Sequence, residues 1–283
     1  MPLVDVAWVQ AHLDELTVVD VRWYIDGRSG RDAFAGGHIP GAVWADLDID
    51  LSAPASTPGG RHPLPTPDDF AAAMVRLGVA DDSRVVCYDD VSGGIAARLW
   101  WMLDALGHEV SVLDGGLSAW TEAGGPLETG AATLKSGSMS AHFTARPWPK
   151  ARLVDANGVA EAVESGESVI LDGRSAERFR GDENPIDPRF GHIPTATSAP
   201  WNDNIDPATG RFRSPDELGR RFAALSVAVG DEQGANDVIA YCGSGVTACN
   251  NLLALRLLDQ PATLYVGSWS EWGADLDRSI AIT

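Results

Sequence analysis

Tyr241-Cys242-Gly243-Ser244-Gly245-Val246-Thr247-Ala248 is the stretch on which the reading of this chain turns. The run ahead of it, Asp237-Val238-Ile239-Ala240, has the character of a buried strand. Asn251 to Leu258 behind it has that of a helix. A cysteine therefore stands where a strand hands over to a helix through a turn containing two glycines. Gly243 and Gly245 let the backbone turn tightly and point N–H groups inward. The positive end of the following helix then faces the sulfur. Both effects favour thiolate over thiol at Cys242. The N–H groups of Gly243, Gly245, Val246 and Thr247 form a ring able to hold an anion or a sulfur-loaded cysteine. A free cysteine is more often an inert, buried small hydrophobe. That plainer reading suits Cys87, inside a strand run, and Cys249, entering the helix.

Working outward, the same order of features occurs twice, roughly 150 residues apart, a spacing that fits a duplicated domain. Val18-Val19-Asp20-Val21-Arg22 resembles Ile170-Leu171-Asp172-Gly173-Arg174. Gly37-His38-Ile39-Pro40 matches Gly191-His192-Ile193-Pro194, and Arg84–Tyr88 parallels Asp237–Tyr241. Aligning Tyr88 with Tyr241 sets Asp89 opposite Cys242, so the first half is a copy without the nucleophile. Because His38 recurs as His192 in both halves, a structural role is expected for each.

Strands are expected near 17–21, 84–88, 110–113, 168–171 and 237–241, with helices near 67–77, 94–106, 155–164, 215–225 and 246–258. Ser214 followed by Pro215 is a good helix start. Short strands alternating with helices give the α/β class, with a mostly parallel sheet covered by helices in each half. Such sheets bind ligands at the carboxyl ends of their strands. The expected division is residues 1–125 for the first domain, 126–150 for a Gly/Ser/Pro-rich connection and 151–283 for the second domain. Residues 52–66 form a second, long Pro/Gly-rich loop of the kind that is often functional.

The formal net charge of −19 argues against a nucleic-acid partner, and Lys135 and Lys150 are the only lysines, so anions must be met by arginine. No leader or membrane-length apolar run is visible, which makes cytoplasm the expected location. Three cysteines without a CxxC pair argue against a disulfide framework or a zinc site.

The loop, the paired Gly-His-Ile-Pro elements and the closing Gly267-Ser268-Trp269-Ser270-Glu271-Trp272-Gly273 resemble the tandem-domain sulfurtransferases of the rhodanese superfamily. Cys242–Ala248 resembles in particular the active loop of the 3-mercaptopyruvate sulfurtransferases. The resemblance implies two tandem rhodanese-like domains and a site in a cleft between them. It also implies a ping-pong reaction through a Cys242 persulfide, with no metal and no organic cofactor. The implied partners are a small-molecule sulfur donor and either cyanide or a thiol acceptor, such as thioredoxin or a small thiol. Thiosulfate-preferring members carry basic residues directly after the cysteine. Gly243 and Ser244 stand there in this chain, which favours 3-mercaptopyruvate and leaves thiosulfate as the alternative donor.

The family's serine–histidine–aspartate relay maps onto Ser244, His62 and Asp46, with Asp48 a neighbouring candidate for the last. Family position offers Arg178 and Arg189 as cationic forks for the substrate, with Arg180 in reserve. Two other classes fit less well. A cysteine phosphatase wants an arginine at the loop's end, where Ala248 stands. A non-catalytic binding module describes the first half, which has no thiol.

Overall fold

A computed structural model describes residues 1–56, 58–132, 141–182, 186–229 and 237–283. The Lys135–Ser138 part of the expected connection lies outside the described residues. The chain divides into two compact units. One comprises Met1–Ala53, Pro65–Trp148 and Pro207–Phe212; the other comprises Pro54–Leu64, Pro149–Asp206 and Arg213–Thr283.

The first unit holds strands β1 (Leu3–Val4), β2 (Leu16–Asp20), β3 (Val43–Trp44), β4 (Arg84–Tyr88) and β5 (Val110–Leu113). They form one sheet in the order β1-β5-β4-β2-β3, and each pairing is parallel. The second unit holds β6 (Leu153–Val154), β7 (Val169–Asp172), β8 (Thr197–Ser198), β11 (Val238–Tyr241) and β12 (Thr263–Tyr265), in the order β6-β12-β11-β7-β8, again all parallel. The two orders are the same permutation, so the sequence repeat is a repeat of topology. Two further short strands, β9 (Ile205–Asp206) and β10 (Arg211–Phe212), stand outside these sheets.

Helices α1 (Val6–His12), α2 (Gly30–Gly36), α3 (Pro67–Arg76), α4 (Ala96–Ala105) and α5 (Gly116–Glu122) belong to the first unit. Helices α6 (Ala156–Ser165), α7 (Ala176–Arg180), α8 (Pro215–Ala224), α9 (Ala248–Arg256) and α10 (Ser268–Trp272) belong to the second. Their starts follow local chemistry. Thr66 accepts a hydrogen bond from the Asp69 N–H ahead of Pro67, and Ser214 forms a full capping box with Glu217 ahead of Pro215. The central strands are buried throughout in β11 and nearly so in β4, which is why they read as continuous apolar runs. Among the described residues, no helix is long and apolar enough to cross a membrane.

The repeated motifs turn out to be repeated hydrogen-bond circuits. Arg22 Nη2 donates to Asp20 Oδ2 and to the Gly37 carbonyl, each at 2.7 Å. Arg174 Nη2 does the same with Asp172 and Gly191, again at 2.7 Å. His38 Nδ1 hydrogen-bonds the Phe34 carbonyl and its ring stacks on Phe34 at 3.8 Å; His192 repeats this with Phe179 at 3.7 Å. The Ile39 and Ile193 N–H groups donate to the Tyr88 and Tyr241 hydroxyls. Both histidines are therefore fixed structural parts.

Asp20 and Arg22 are both buried. Asp20→Ala leaves the guanidinium without its carboxylate, so a loss of about 3–5 kcal/mol is expected in urea unfolding of the first unit. A loss below about 1 kcal/mol would show that the pair is not what ties β2 to the His38 loop.

Candidate active site

The site can be built within the second unit alone. Tyr241 ends β11, and the loop from Cys242 carries the chain to α9. Gly245 has φ +75°, and a Cβ there would come within 2.5 Å of the Val266 carbonyl oxygen, so the loop closes against β12 only with glycine at this position. Helix α10 holds the loop from its other side. The Trp269 N–H donates to the Cys242 carbonyl at 3.0 Å, and the Ser270 N–H donates to the Gly243 carbonyl at 2.9 Å. The Cys242 N–H donates to Ser268 Oγ at 3.1 Å, while that hydroxyl donates to the Tyr265 carbonyl at 2.9 Å.

Cys242 is 2% exposed, yet its surroundings are not an apolar seal. A Cβ built on the adjacent Gly243 would lie 2.9 Å from Arg178 Nη2 and 3.1 Å from Arg61 Nη2. Two guanidiniums thus face the loop from outside, although the loop itself carries no charge. Cys87 and Cys249 are fully buried. Burial drives the Cys87 thiol far above its ordinary value, which leaves it an inert core residue.

Ser244 and His62, which the resemblance pairs, lie side by side. His62 Nδ1 lies 2.7 Å from Ser244 Oγ, and both side chains are buried. The segment bearing His62 is pinned to α10. The Gly59 N–H donates to Glu271 Oε1 at 3.0 Å, and the Arg61 N–H donates to Ser270 Oγ at 3.0 Å. Gly60 between them has φ +78° and packs on the Gly267 carbonyl, leaving no room for a side chain. Asp46 belongs to the first unit, half-buried in a turn where its Oδ1 accepts the Asp48 N–H and its own N–H donates to Asp50 Oδ2. Burial, with Asp48 and Asp50 nearby, raises its carboxyl above the ordinary range. Asp48 itself accepts from Trp23 Nε1.

The two expected arginine forks differ. Arg178 reaches the loop and is held there by Asp187, through Nε at 3.0 Å and Nη2 at 2.5 Å. Arg189 is engaged elsewhere, which corrects the expectation for it. Its Nε donates to the Gly273 carbonyl, and its Nη2 to the carbonyls of Trp272, Asp275 and Arg278. A fork committed to backbone carbonyls fastens the segment after α10 and is not presented to a substrate. Arg180, the reserve candidate, is an exposed partner of Asp182 and Glu177. Trp269 is fully buried beneath the Arg174 guanidinium.

Arg61 is the residue that the sequence reading passed over. The signal was available: it is the sole cation in the 52–66 loop and stands directly before His62.

The first unit shows what this loop geometry offers an anion. Asp89, at the position aligned with Cys242, turns its carboxylate back into its own loop. Oδ1 accepts the N–H groups of Val91 and Gly93, and Oδ2 those of Ile95 and Ala96, all at 2.8–2.9 Å. The Leu117 N–H donates to the Asp89 carbonyl as the Trp269 N–H does to that of Cys242. Gly116 then corresponds to Ser268, and both have positive φ, +57° and +52°. A serine in that conformation is strained, and its hydroxyl is what the Cys242 N–H requires.

Ser268→Ala is expected to lose about 1–3 kcal/mol in denaturant unfolding, because a buried N–H loses its acceptor. Ser268→Gly, relieved of the left-handed strain, should be the more stable of the two variants. The reverse ranking would show that strain at this position is negligible.

Comparison with known proteins places these features. The rhodanese-like domain family matches residues 5–123 and again 155–275. A Pseudomonas aeruginosa protein named provisionally as a 3-mercaptopyruvate sulfurtransferase is 43% identical over 272 residues, covering 94% of this chain and 92% of its own. A Mycobacterium tuberculosis protein named provisionally as a thiosulfate sulfurtransferase, SseB, is 37% identical over 269 residues, covering 94% and 91%. The crystal structure of SseA from Escherichia coli, described among the 3-mercaptopyruvate sulfotransferases, superimposes with a TM-score of 0.80 at 35% identity, covering 95% of this chain and 99% of that one. With two matched domains and relatives aligned over nearly their whole length, the chain belongs to the rhodanese-like family.

Proposed function

We propose that this protein is a sulfurtransferase that takes sulfur from 3-mercaptopyruvate onto Cys242 and passes it, as a persulfide, to a thiol or cyanide. The observation that carries the reading is the 2.7 Å hydrogen bond between Ser244 and His62, two residues along the loop from the nucleophile. Thiosulfate leaves behind sulfite, already a stable anion, and needs no proton at the leaving group. A mercaptoketone leaves behind an enolate and does need one. A serine linked to an imidazole is an arrangement suited to that difference.

In the first half-reaction the Cys242 thiolate attacks the donor's sulfur. The new S–S bond forms as the donor's C–S bond breaks, and its electron pair stays on carbon as the pyruvate enolate. Ser244 stands to deliver a proton to that carbon and recover one from His62. Nδ1 faces the serine, so the imidazole is placed to return the proton that Ser244 gives up. The family resemblance assigns the third place of the relay to Asp46, with Asp48 the neighbouring candidate. Arg178 meets the donor's carboxylate or ketone. The N–H groups of Gly243, Gly245, Val246 and Thr247 cradle the persulfide, by analogy with the Asp89 loop. In the second half-reaction the acceptor thiolate, from thioredoxin or a small thiol, or cyanide attacks the outer sulfur and restores the Cys242 thiolate. A reducing compartment such as the cytoplasm suits this free-thiol chemistry.

The same reading divides the chain into a first domain of 1–125 that lacks the nucleophile, a connection of 126–150 and a catalytic domain of 151–283. It needs no metal or cofactor, because the cysteine carries the transferred sulfur itself.

The test is steady-state kinetics with both donors. Cys242→Ser should abolish turnover of each, since an alcohol forms no persulfide. Ser244→Ala should cut kcat for 3-mercaptopyruvate by about 10²–10⁴-fold, the range for loss of a general acid, while changing thiosulfate turnover little. Equal losses with both donors would contradict the relay. A wild-type enzyme with the higher kcat/KM for thiosulfate would overturn the donor assignment.

A further inference from the structure

We infer that Asn204, Asn250 and Asn251 form a buried register lock for helix α9 and so act as positioning residues for the Cys242 loop. The inference goes beyond the donor chemistry and rests on the sulfurtransferase reading only for Cys242 as the nucleophile.

The helix creates the need. Every residue of α9 from Ala248 to Leu255 is buried. A helix buried on all sides has no polar face to set its rotation. Apolar burial is non-directional, and cores lose uniqueness before they lose stability. The N-terminus of α9, however, has to be aimed. The loop from Cys242 winds straight into it: the Cys249 N–H donates to the Val246 carbonyl and the Asn250 N–H to the Thr247 carbonyl, both at 3.1 Å. A shift of α9 is therefore passed to the loop N–H groups and the helix end that favour the thiolate.

The amides supply the aim. Asn204 closes the short 3-10 helix Trp201–Asn204 that follows β8. Its Nδ2 donates to Asn250 Oδ1 at 3.0 Å and to Asn251 Oδ1 at 2.8 Å, and Asn251 Nδ2 donates to the Ala199 carbonyl at 2.9 Å. All three side chains are fully buried. The same segment is tied to the strand that carries the cysteine. The Trp201 N–H donates to the Gly173 carbonyl at 3.2 Å, and the Gly173 N–H donates to the Tyr241 carbonyl at 2.7 Å. A Cβ on Gly173 would stand 3.3 Å from Asn251 Nδ2 and 3.6 Å from Cys242 Cβ, so the amide and the cysteine side chain flank the same glycine. Hydrogen bonds thus run from Tyr241 through Gly173, Trp201 and Asn204 to α9, and the chain returns from α9 to Cys242 through the loop.

Stability alone does not call for this cluster. Asn204 Oδ1 is buried with no hydrogen-bond partner among the described residues, which costs free energy that a leucine at 204 would not. Buried polar groups of this kind are best attested as register devices, as a lone asparagine is in a coiled coil. The chain has no asparagine before Asn157, and Ala97 and Arg98 stand where alignment of Asp89 with Cys242 puts Asn250 and Asn251. The amide cluster belongs to the copy that carries the thiol.

The experiment compares Asn251→Leu and Asn204→Leu with the wild type by urea unfolding and by the pH dependence of Cys242 alkylation with iodoacetamide, followed by peptide mapping. Leucine fills a similar volume without polar atoms, so the urea midpoint should hold or rise. The Cys242 titration should move up by about half a pH unit, and alkylation at neutral pH should slow about threefold, the scale of one helix-terminus interaction. Asn204→Ala removes the same two bonds without adding bulk; it should move the titration in the same direction and decides the matter if the leucine variants do not fold. An unchanged titration in the folded variants would overturn the proposal and leave the amides a feature of the core only. If the titration moves while wild-type Cys242 gains no sulfur from 3-mercaptopyruvate or thiosulfate, the register lock stands and the sulfurtransferase reading fails.

Discussion

The first turn of α10 is the bracket on which the site depends. On one side, the N–H groups of Trp269 and Ser270 and the hydroxyl of Ser268 hold the backbone of Cys242 and Gly243. On the other, Ser270 Oγ and Glu271 hold Gly59 and Arg61, which brings His62 onto Ser244. One short helix thus sets both the Cys242 loop and the segment that brings His62 to Ser244. Catalysis of this kind asks for positions fixed to fractions of an ångström before substrate arrives. Backbone hydrogen bonds to a helix wedged under Arg174 and Arg189 meet that demand better than flexible side chains would.

Comparison of the two halves explains how one fold can hold a site in one copy and a closed loop in the other. Both keep the Asp–Arg pair, the stacked histidine and the tyrosine hydroxyl that ties the Gly-His-Ile-Pro turn to the central strand. They differ where the strand ends. In the first unit a carboxylate fills its own ring of N–H donors, so the loop is satisfied from within. In the second a thiol occupies that place, and Ser268 takes a strained conformation to support it. Backbone strain occurs in both copies, at Ser92 (φ +57°) in the Asp89 loop and at Ser268 (φ +52°) beside the Cys242 loop. What separates the copies is therefore the group at the strand's end, a carboxylate in one and a thiol in the other.

Much of this was legible in the sequence because its signals are local. The apolar runs 84–88 and 238–241 became central strands, Ser214-Pro215 opened a helix, and Cys242-Gly-Ser-Gly announced its turn. The two-residue edge strands carried too little periodicity to be seen. Ser244 and His62 were paired through family resemblance, since nothing in their spacing of 182 residues links them. Arg189 was misjudged because sequence position cannot tell a fork aimed at substrate from one gripping four carbonyls of its own chain. Arg61 was overlooked for the converse reason: its meaning comes from Ser270, Ile186 and Gly243, residues brought to it only by folding.

The most direct test of the central claim is intact-protein and peptide mass spectrometry after brief exposure to 3-mercaptopyruvate without an acceptor. The account predicts the gain of one sulfur atom, located on the peptide containing Cys242 and removed by cyanide. Sulfur found on Cys87 or Cys249, or none retained on Cys242 while pyruvate is released, would contradict it.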